Sequence, residues 1–181
     1  MFNDKYGLTQ AVLNGRKTMT RRMVDNRMTK DDIKAYLKGY TELAYKAAHY
    51  KNGEIVAVAQ SYETLANCGY LDNMLETSST FKQEYCGAGW NNKMFVRADL
   101  MPHRIRITDV MVERLQDISH EDCMKEGIFN GKAISMYTFP GAKLQYGNPI
   151  LAYSALIDKV NGKGTWESNP FVFVYNFELI K

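Results

Sequence analysis

The side chains best suited to chemistry lie together near the amino terminus, in the octapeptide from Gly15 to Arg22. This segment carries four cations and two threonine hydroxyls and contains no acidic residue. Four cations at this spacing repel one another, so an anionic partner such as phosphate would offset the cost of gathering them. A lysine beside a threonine hydroxyl is also a base beside a nucleophile. The octapeptide therefore predicts either anion binding or nucleophilic catalysis.

Positive charge is concentrated around this octapeptide rather than spread over the chain. Between Arg16 and Lys30 there are six cations and one acid, Asp25, whereas the net charge of all 181 residues is only +3. A solvated basic face is the ordinary interpretation of such a run. Its density, and its position directly after a predicted helix, favour a binding role instead.

Hydrophobic periodicity and capping residues predict the elements that must position the octapeptide. Helices are predicted over residues 8–14, 29–48, 119–126 and 150–160, with Thr9, Thr29 and Ser119 as the N-caps of the first three. Strands are predicted over residues 54–60, 93–98, 104–114 and 171–179, with a bulge near Thr108 and Asp109. This order is not the alternation of a doubly wound sheet. It predicts a mainly β, α+β fold in which a small mixed or antiparallel barrel carries helices at its ends.

Composition narrows the class of protein. With 45% hydrophobic and 24% charged residues, the chain has the make-up of an ordinary soluble globular protein, and its length fits one domain over residues 1–181. No apolar run approaches the ~18 residues of a membrane span, and the amino terminus has no signal-peptide pattern, so we expect a cytoplasmic protein that does not bind membranes. The three cysteines and three histidines show no metal-ligand spacing. We therefore expect reduced thiols, no metal and no cofactor.

Several segments, taken in order, resemble the ASCH domains, a family of the PUA-like superfamily of compact β-barrels. The family's signature Gly-x-Lys-x-x-Glu-x-Arg follows its first helix, and Gly15, Lys17 and Arg22 match that signature. Residues 53–58, 115–127 and 172–179 resemble the family's next strand, its later helix and its closing strand. The resemblance covers the larger part of the chain. It implies a single PUA-like barrel domain with two insertions, a helical one at about 25–50 and an irregular one at about 61–92.

Thr20 stands where many ASCH domains carry Glu, and this departure resembles one bacterial branch of the family. That branch has Gly-Arg-Lys-Thr-Ile-Thr-x-Arg at this point and is an amidohydrolase that removes the acetyl group from acetylcytidine. By position, the resemblance implies a site with Thr20 as nucleophile, Lys17 as its base and Glu126 as their partner. A base role requires that the pKa of Lys17 lie well below its usual value of about 10.4. A nearby Glu126 would raise that pKa and so oppose the role.

The residues leave other functions open beside this enzyme. A basic cleft would bind RNA or a modified nucleoside through the side chains of Arg16, Lys17, Arg21, Arg22, Arg104 and Arg106. Glu126 would then serve only to pair with Lys17 or Arg22 and hold its helix to the barrel. A third hypothesis is a protein-interaction surface on the tyrosine-rich helix at 29–48. A closed pocket around Lys17 would favour chemistry, whereas an open groove across Arg104 and Arg106 would favour a polynucleotide.

Exposed tryptophans would add a stacking surface for a base. Trp90 and Trp166 both lie in segments predicted as loops. We interpret Trp166 as structural, because the segment from Gly164 to Pro170 resembles the family's lead-in to its closing strand.

Overall fold

The computed structural model of this protein describes residues 2–25, 28–71, 87–131 and 135–180. Its helices are α1 (Leu8–Leu13), α2 (Lys30–Leu37), α3 (Thr41–Ala47), α4 (Tyr62–Asn67), α5 (His120–Lys125), α6 (Pro149–Asn161) and α7 (Thr165–Ser168). Its strands are β1 (Met19–Met23), β2 (Ile55–Ala57), β3 (Arg104–Arg114), β4 (Phe129–Asn130), β5 (Tyr137–Thr138) and β6 (Phe171–Ile180). The predicted α+β class is confirmed.

A four-stranded antiparallel sheet, in the order β1–β6–β3–β2, organises the described part of the chain. The two long strands β6 and β3 lie at its centre. Residues Val172 to Tyr175 of β6 are buried in succession, as predicted for a central strand covered on both faces. The register of β3 against β6 shifts between Ile107 and Asp109, which confirms the predicted bulge. Strands β4 and β5 form a separate hairpin.

The main hydrophobic core contains buried residues of the sheet and of helices α1, α5 and α6. Helix α6 contributes Tyr153, Leu156 and Ile157, which recur at the helical spacing seen in the sequence. A smaller cluster lies around Tyr62 of α4. The sheet and α6 are therefore held together by apolar contacts. The octapeptide begins directly after the C-cap residue of α1, and its second half lies in β1, which pairs with β6.

Two of the three predicted helix caps are confirmed. Thr29 and Asp32 form a reciprocal capping box at the start of α2, and Ser119 accepts a hydrogen bond from an N–H group of the first turn of α5. The prediction for Thr9 is wrong, because α1 begins two residues earlier than a cap at Thr9 requires. Its N-cap is Gly7, with a left-handed φ of 59°, and Thr9 lies inside the helix.

Other predicted elements differ from the structure. The single helix predicted over 29–48 is divided into α2 and α3, because Gly39 takes a φ of 99° directly after α2 and the chain turns there. The strand predicted over 93–98 is wrong. Those residues form two 3₁₀ turns, Lys93–Phe95 and Ala98–Leu100, and the first is capped by Asn92. The strand predicted over 54–60 is shortened to β2, and β1 was missed.

Parts of the irregular insertion predicted at 61–92 are also described. Residues 62–67 form α4, which was not predicted, whereas residues 72–86, including Cys86, lie outside the described residues. The other two cysteines, Cys68 and Cys123, are free thiols.

Candidate functional site

The turn between α1 and β1 brings Lys17 into the interior. Gly15 takes a left-handed φ of 70° directly after the end of α1. The N–H groups of Arg16 and Lys17 both donate to the carbonyl of Ala11, so the chain folds back over the last turn of the helix. This reversal turns the Lys17 side chain inward, where it is only 2% exposed, and leaves Arg16 at the surface.

Backbone hydrogen bonds of Thr18 fix the position of the octapeptide against two other elements. The Thr18 N–H donates to the carbonyl of Lys125 at the end of α5, and its carbonyl accepts from the N–H of Phe177 in β6. Strand β1 then continues along β6 with Thr20 opposite Tyr175. Lys17 therefore lies at the C-terminal end of α5, and Thr20 lies in an edge strand next to it.

Lys17 and Glu126 form a buried ion pair. Lys17 Nζ donates to Glu126 Oε2 at 2.5 Å and to the backbone carbonyl of Glu126 at 2.8 Å, and Glu126 is 4% exposed. Glu126 is the C-cap of α5, so its carbonyl belongs to the group that a helix end leaves without an intrahelical donor. Gly127 follows with a φ of 107°, the position where the sequence pattern predicts a terminal glycine. Lys17 thus caps the helix as well as pairing with its last acid.

The burial of Lys17 decides the direction of its pKa shift. Burial lowers the pKa of Lys17, and the nearby guanidinium groups of Arg22 and Arg21 lower it further. The carboxylate of Glu126 raises it, both by charge and by hydrogen bonding, but does not compensate for burial. The pKa of Lys17 therefore lies below its ordinary value, the direction that a lysine base requires.

Arg21 is committed to a network of acids. Three carboxylates among the described residues contact its guanidinium, namely Glu113 at 2.7 Å, Glu126 at 3.3 Å and Asp122 at 3.6 Å. Arg21 is 3% exposed. Burial lowers the pKa of Arg21, but Glu126, Tyr153 and Glu113 raise it more strongly, so that the group stays charged. Arg21 pairs with Glu113 of β3, with Asp122 of α5 and with the C-cap residue Glu126, and its predicted contact with an anionic ligand stays a prediction.

One cavity of about 490 Å³ is lined by the charged and polar side chains of the octapeptide and α5, namely Lys17, Thr20, Arg21, Arg22 and Glu126. This volume falls within the range typical of small-molecule sites. Helix α6 supplies an apolar wall that includes Leu156 and Ile157. The hydroxyl of Thr20 makes no hydrogen bond within the part of the chain that the structure describes, and Thr20 is 7% exposed. The predicted nucleophile, base and acid therefore line the same cavity.

Tyr153 of α6 also lines the cavity. From the sequence it was predicted only as part of the apolar face of a helix. It is 1% exposed, and its hydroxyl has no hydrogen-bond partner among the described residues. Burial, together with the negative charge of Glu126, raises the pKa of Tyr153 well above its ordinary value, so the phenol keeps its proton. An unpaired buried hydroxyl is uncommon, because its desolvation is not compensated.

The amino-terminal segment closes another side of the cavity. Lys93 Nζ donates to Asp4 Oδ1 at 2.7 Å and to Thr9 Oγ1 at 2.9 Å, and it also contacts the carbonyl of Phe2. The ring of Phe2 lies 5.9 Å from Lys17 Nζ. Lys93 thus holds Phe2 against the cavity. The sequence predicts a strand for the segment that contains Lys93 and assigns it no functional role.

Positive charge exceeds negative charge in the described walls of the cavity. These walls contain the cations Lys17, Arg21, Arg22 and Lys93 and the acids Asp4 and Glu126. Lys17, Arg21 and Lys93 form ion pairs with Glu126, Glu113 and Asp4, respectively. Much of the positive charge in the wall is therefore engaged by acids of the same chain rather than available to a polyanion.

The other predicted nucleic-acid contacts lie away from this cavity. Arg16, Arg104 and Arg106 are not in its described walls. The guanidinium of Arg16 lies over the ring of Phe129 at 5.3 Å, and Arg106 is paired with Glu178 at 3.0 Å across β3 and β6. These three arginines are exposed, and none of them lines the cavity that contains Lys17, Thr20, Arg21 and Arg22.

The predicted aromatic surfaces are largely packed. Trp166 contacts Tyr153 edge-on, with ring centroids 6.2 Å apart, and packs against the main core, which confirms its structural interpretation. Trp90 packs against the smaller cluster around Tyr62. In the helical region 29–48, Tyr40 is 67% exposed. The protein-interaction hypothesis therefore depends on the turn between α2 and α3, where Tyr40 lies.

No group of three His, Cys, Asp or Glu side chains that could hold a metal ion is present in the ranges that the structure describes. In the same ranges, no helix is long and apolar enough to cross a membrane. Comparisons with protein-family models, with curated proteins and with solved structures found no match to this chain. A function must therefore be argued from the chemistry of the cavity itself.

Proposed function

We propose that this protein is an amidohydrolase that removes an acyl group from the exocyclic amine of a cytidine-type nucleoside, within a PUA-like domain of the ASCH family. One observation carries the proposal: Lys17, Thr20 and Glu126 line the same cavity, with Lys17 buried and its pKa lowered. These are the positions for which the resemblance to acetylcytidine amidohydrolases implies catalysis. Perturbed titratable groups that converge in a pocket are characteristic of active sites.

The proposed reaction proceeds through an ester of Thr20. Neutral Lys17 accepts the hydroxyl proton of Thr20 while Thr20 Oγ attacks the amide carbonyl carbon. The carbon–nitrogen bond then breaks, the acyl group remains on Oγ, and the departing amine nitrogen takes the proton from Lys17. A water molecule next attacks the ester carbonyl and gives a proton to Lys17. The ester bond breaks, and a carboxylic acid leaves as Thr20 regains its proton.

Glu126 orients the base in this scheme. Its Oε2 accepts a hydrogen bond from Lys17 Nζ, and its Oε1 lies 3.3 Å from a guanidinium nitrogen of Arg21. Arg21 therefore holds the carboxylate in place while Lys17 loses and regains a proton. The Thr20 hydroxyl, which has no other partner among the described residues, is available to donate to Lys17 or to the substrate.

The cavity favours a free nucleoside over a polynucleotide. Its volume of about 490 Å³ suits a small molecule, and acids of the chain engage much of the positive charge in its walls through ion pairs. A polynucleotide requires a continuous surface of cations that neutralise phosphates. Arg104 and Arg106, which would extend such a surface, are not in the described walls of the cavity. Binding of a modified nucleoside without turnover would use the same cavity and is the alternative that the experiment must separate.

Turnover of N4-acetylcytidine by purified protein tests the proposal. We expect wild type to release cytidine and acetate, and we expect Thr20→Val and Lys17→Met to lose activity by a factor on the order of 10³ or more. Thr18→Val is the matched control, because it removes the other hydroxyl of the octapeptide, which is not in the described cavity wall. Full turnover by Thr20→Val would exclude this mechanism. Calorimetric binding of N4-acetylcytidine without turnover would identify a nucleoside-binding protein instead.

A further inference from the structure

A second, smaller cavity adjoins the first at the proposed nucleophile. Its volume is about 140 Å³, and it shares Phe2, Thr20 and Arg22 with the wall of the larger cavity. Its other walls include aliphatic and aromatic side chains of the sheet, namely Val56, Ile105, Ile107, Tyr175 and Phe177. Thr20 therefore lies where the two cavities meet, and aliphatic and aromatic side chains of the sheet line the smaller one.

The register of the sheet explains this arrangement. Thr20 pairs with Tyr175 across β1 and β6, and Phe177 pairs with Ile107 across β6 and β3. Directly paired residues of an antiparallel sheet have side chains on the same face, as do residues two apart in one strand. The side chain of Thr20 thus shares one face of the sheet with the apolar walls of the smaller cavity.

Besides Thr20, the wall of the smaller cavity contains polar groups of Tyr175 and Arg22 that are engaged in hydrogen bonds. The hydroxyl of Tyr175 accepts a hydrogen bond from the N–H of His49 at 3.0 Å, and the ring of Tyr50 packs edge-on against Tyr175. Arg22 donates to the carbonyl of Arg21 at 3.1 Å. Beside the Thr20 hydroxyl, most of the surface that remains for an occupant consists of methyl groups and ring faces, which favours an apolar group.

We propose that the smaller cavity binds the acyl group of the substrate, while the larger cavity binds the nucleoside. This inference rests on the proposed function and specifies its substrate class: cytidines whose amine carries an acyl group larger than acetyl, such as butyryl, hexanoyl or benzoyl. A dry cavity of about 150 Å³ lined by aliphatic and aromatic residues accommodates benzene. The 140 Å³ available here would be left largely empty by an acetyl group. The carbonyl carbon then lies at Thr20, and the acyl group departs as its carboxylic acid.

A series of acyl chain lengths tests the inference. The substrates are N4-acetyl-, N4-butyryl-, N4-hexanoyl- and N4-benzoylcytidine, with kcat/KM measured for each. We expect kcat/KM to rise roughly fourfold for each added methylene until the cavity is filled. A kcat/KM that is highest for acetyl and falls with chain length would overturn the proposal.

Variants of β2 connect the chain-length preference to this cavity. Val56→Phe fills the space, and we expect it to lower kcat/KM for hexanoyl and benzoyl substrates at least tenfold more than for acetyl. Ile55→Phe is the matched control, because Ile55 is the neighbouring residue and is 52% exposed. Val56→Ala enlarges the cavity and is expected to move the preference to longer chains, which gives an answer if Val56→Phe does not fold. Equal losses for all substrates in Val56→Phe, or an unchanged preference in Val56→Ala, would contradict the assignment.

Binding of N4-alkylcytidines separates the acyl subsite from catalysis, because these compounds have no amide to cleave. By calorimetry, we expect N4-hexylcytidine to bind at least tenfold more tightly than N4-methylcytidine, and we expect Val56→Phe to remove this difference. That result without turnover of any acylcytidine would reject the hydrolase and keep the subsite. Equal affinities together with turnover of N4-acetylcytidine would reject the subsite and keep the hydrolase.

Discussion

Lys17 Nζ donates to both the carboxylate and the backbone carbonyl of Glu126, at 2.5 and 2.8 Å. The first contact pairs two buried charges, and the second satisfies a carbonyl at the end of α5. One side chain therefore ties the turn after α1 to helix α5 and also supplies the proposed base. A variant at Lys17 changes stability as well as chemistry, so the two effects need separate measurements.

Loss of the Lys17 side chain is expected to destabilise the fold. Lys17→Met removes one cationic partner of the buried Glu126 carboxylate and leaves its contact with Arg21, and we expect a decrease of about 3 kcal/mol in the free energy of unfolding. The double variant Lys17→Met/Glu126→Leu removes both charges and is expected to recover most of that decrease. Urea denaturation monitored by circular dichroism measures both values. If the double variant were no more stable than Lys17→Met, the two charges would not compensate each other as described.

The lowered pKa of Lys17 predicts the shape of the pH profile. Neutral lysine is the active form, so kcat/KM is expected to rise with pH and to level off above the pKa of Lys17. Because burial lowers that pKa, the rise should occur below about 10.4, the value for a lysine in an unfolded chain. A turnover assay between pH 5 and pH 10 would show it. Activity that falls steadily as pH rises would be incompatible with Lys17 as base.

The free energy of unfolding also depends on the titration of Lys17. Between the lowered pKa of folded Lys17 and the value of about 10.4 in the unfolded chain, the unfolded state binds more protons. The contribution of Lys17 to the free energy of unfolding therefore increases as pH rises through that window.

Substitutions of the groups around Lys17 should move the pH profile in opposite directions. Glu126 raises the pKa of Lys17, so Glu126→Gln is expected to shift the rise in kcat/KM to lower pH. Arg22 lowers that pKa, so Arg22→Gln is expected to shift the rise to higher pH. Pre-steady-state or kcat/KM profiles of both variants provide the measurement. Shifts of the same sign in both variants would show that these charges do not act on Lys17.

Local sequence patterns were sufficient for some elements of the fold. The capping box of Thr29 and Asp32, the cap at Ser119 and the apolar strand β6 all depend on neighbouring residues in the chain, and all were predicted. β1 was missed because its sequence, Met-Thr-Arg-Arg-Met, lacks the regular apolar alternation that indicates a strand. Its position in the sheet is determined by pairing with β6, a contact that no local pattern records.

Contacts between residues far apart in the chain also limited the prediction of the candidate site. The resemblance to ASCH domains provided Lys17, Thr20 and Glu126, whose catalytic roles stay predictions, and the structure brings all three to one cavity. The charge pattern gave no sign that Arg21 pairs with Glu113, because the two residues are 92 positions apart in the chain. From sequence alone, Arg21 was therefore grouped with the exposed cations.

The unpaired hydroxyl of Tyr153 makes a prediction about stability. Tyr153→Phe removes a buried donor that has no partner in the described chain, so we expect the free energy of unfolding to stay the same or to rise by about 1 kcal/mol. Tyr175→Phe is the matched control, because the Tyr175 hydroxyl accepts a bond from the N–H of His49. That control is expected to lose about 1 kcal/mol. A larger loss in Tyr153→Phe than in Tyr175→Phe would mean that Tyr153 is hydrogen-bonded in solution.

Arg21 and Arg106 allow the stability contribution of a buried arginine to be compared with that of an exposed one. At neutral pH, we expect Arg21→Gln to lower the free energy of unfolding by about 3–5 kcal/mol, because it leaves Glu113, Asp122 and Glu126 without their shared partner. Arg106→Gln breaks a solvent-exposed pair with Glu178 and is expected to lower it by less than about 1 kcal/mol. Urea denaturation of both variants and of wild type measures the differences. A deficit for Arg21→Gln no larger than that for Arg106→Gln would contradict the charge-compensating role of Arg21.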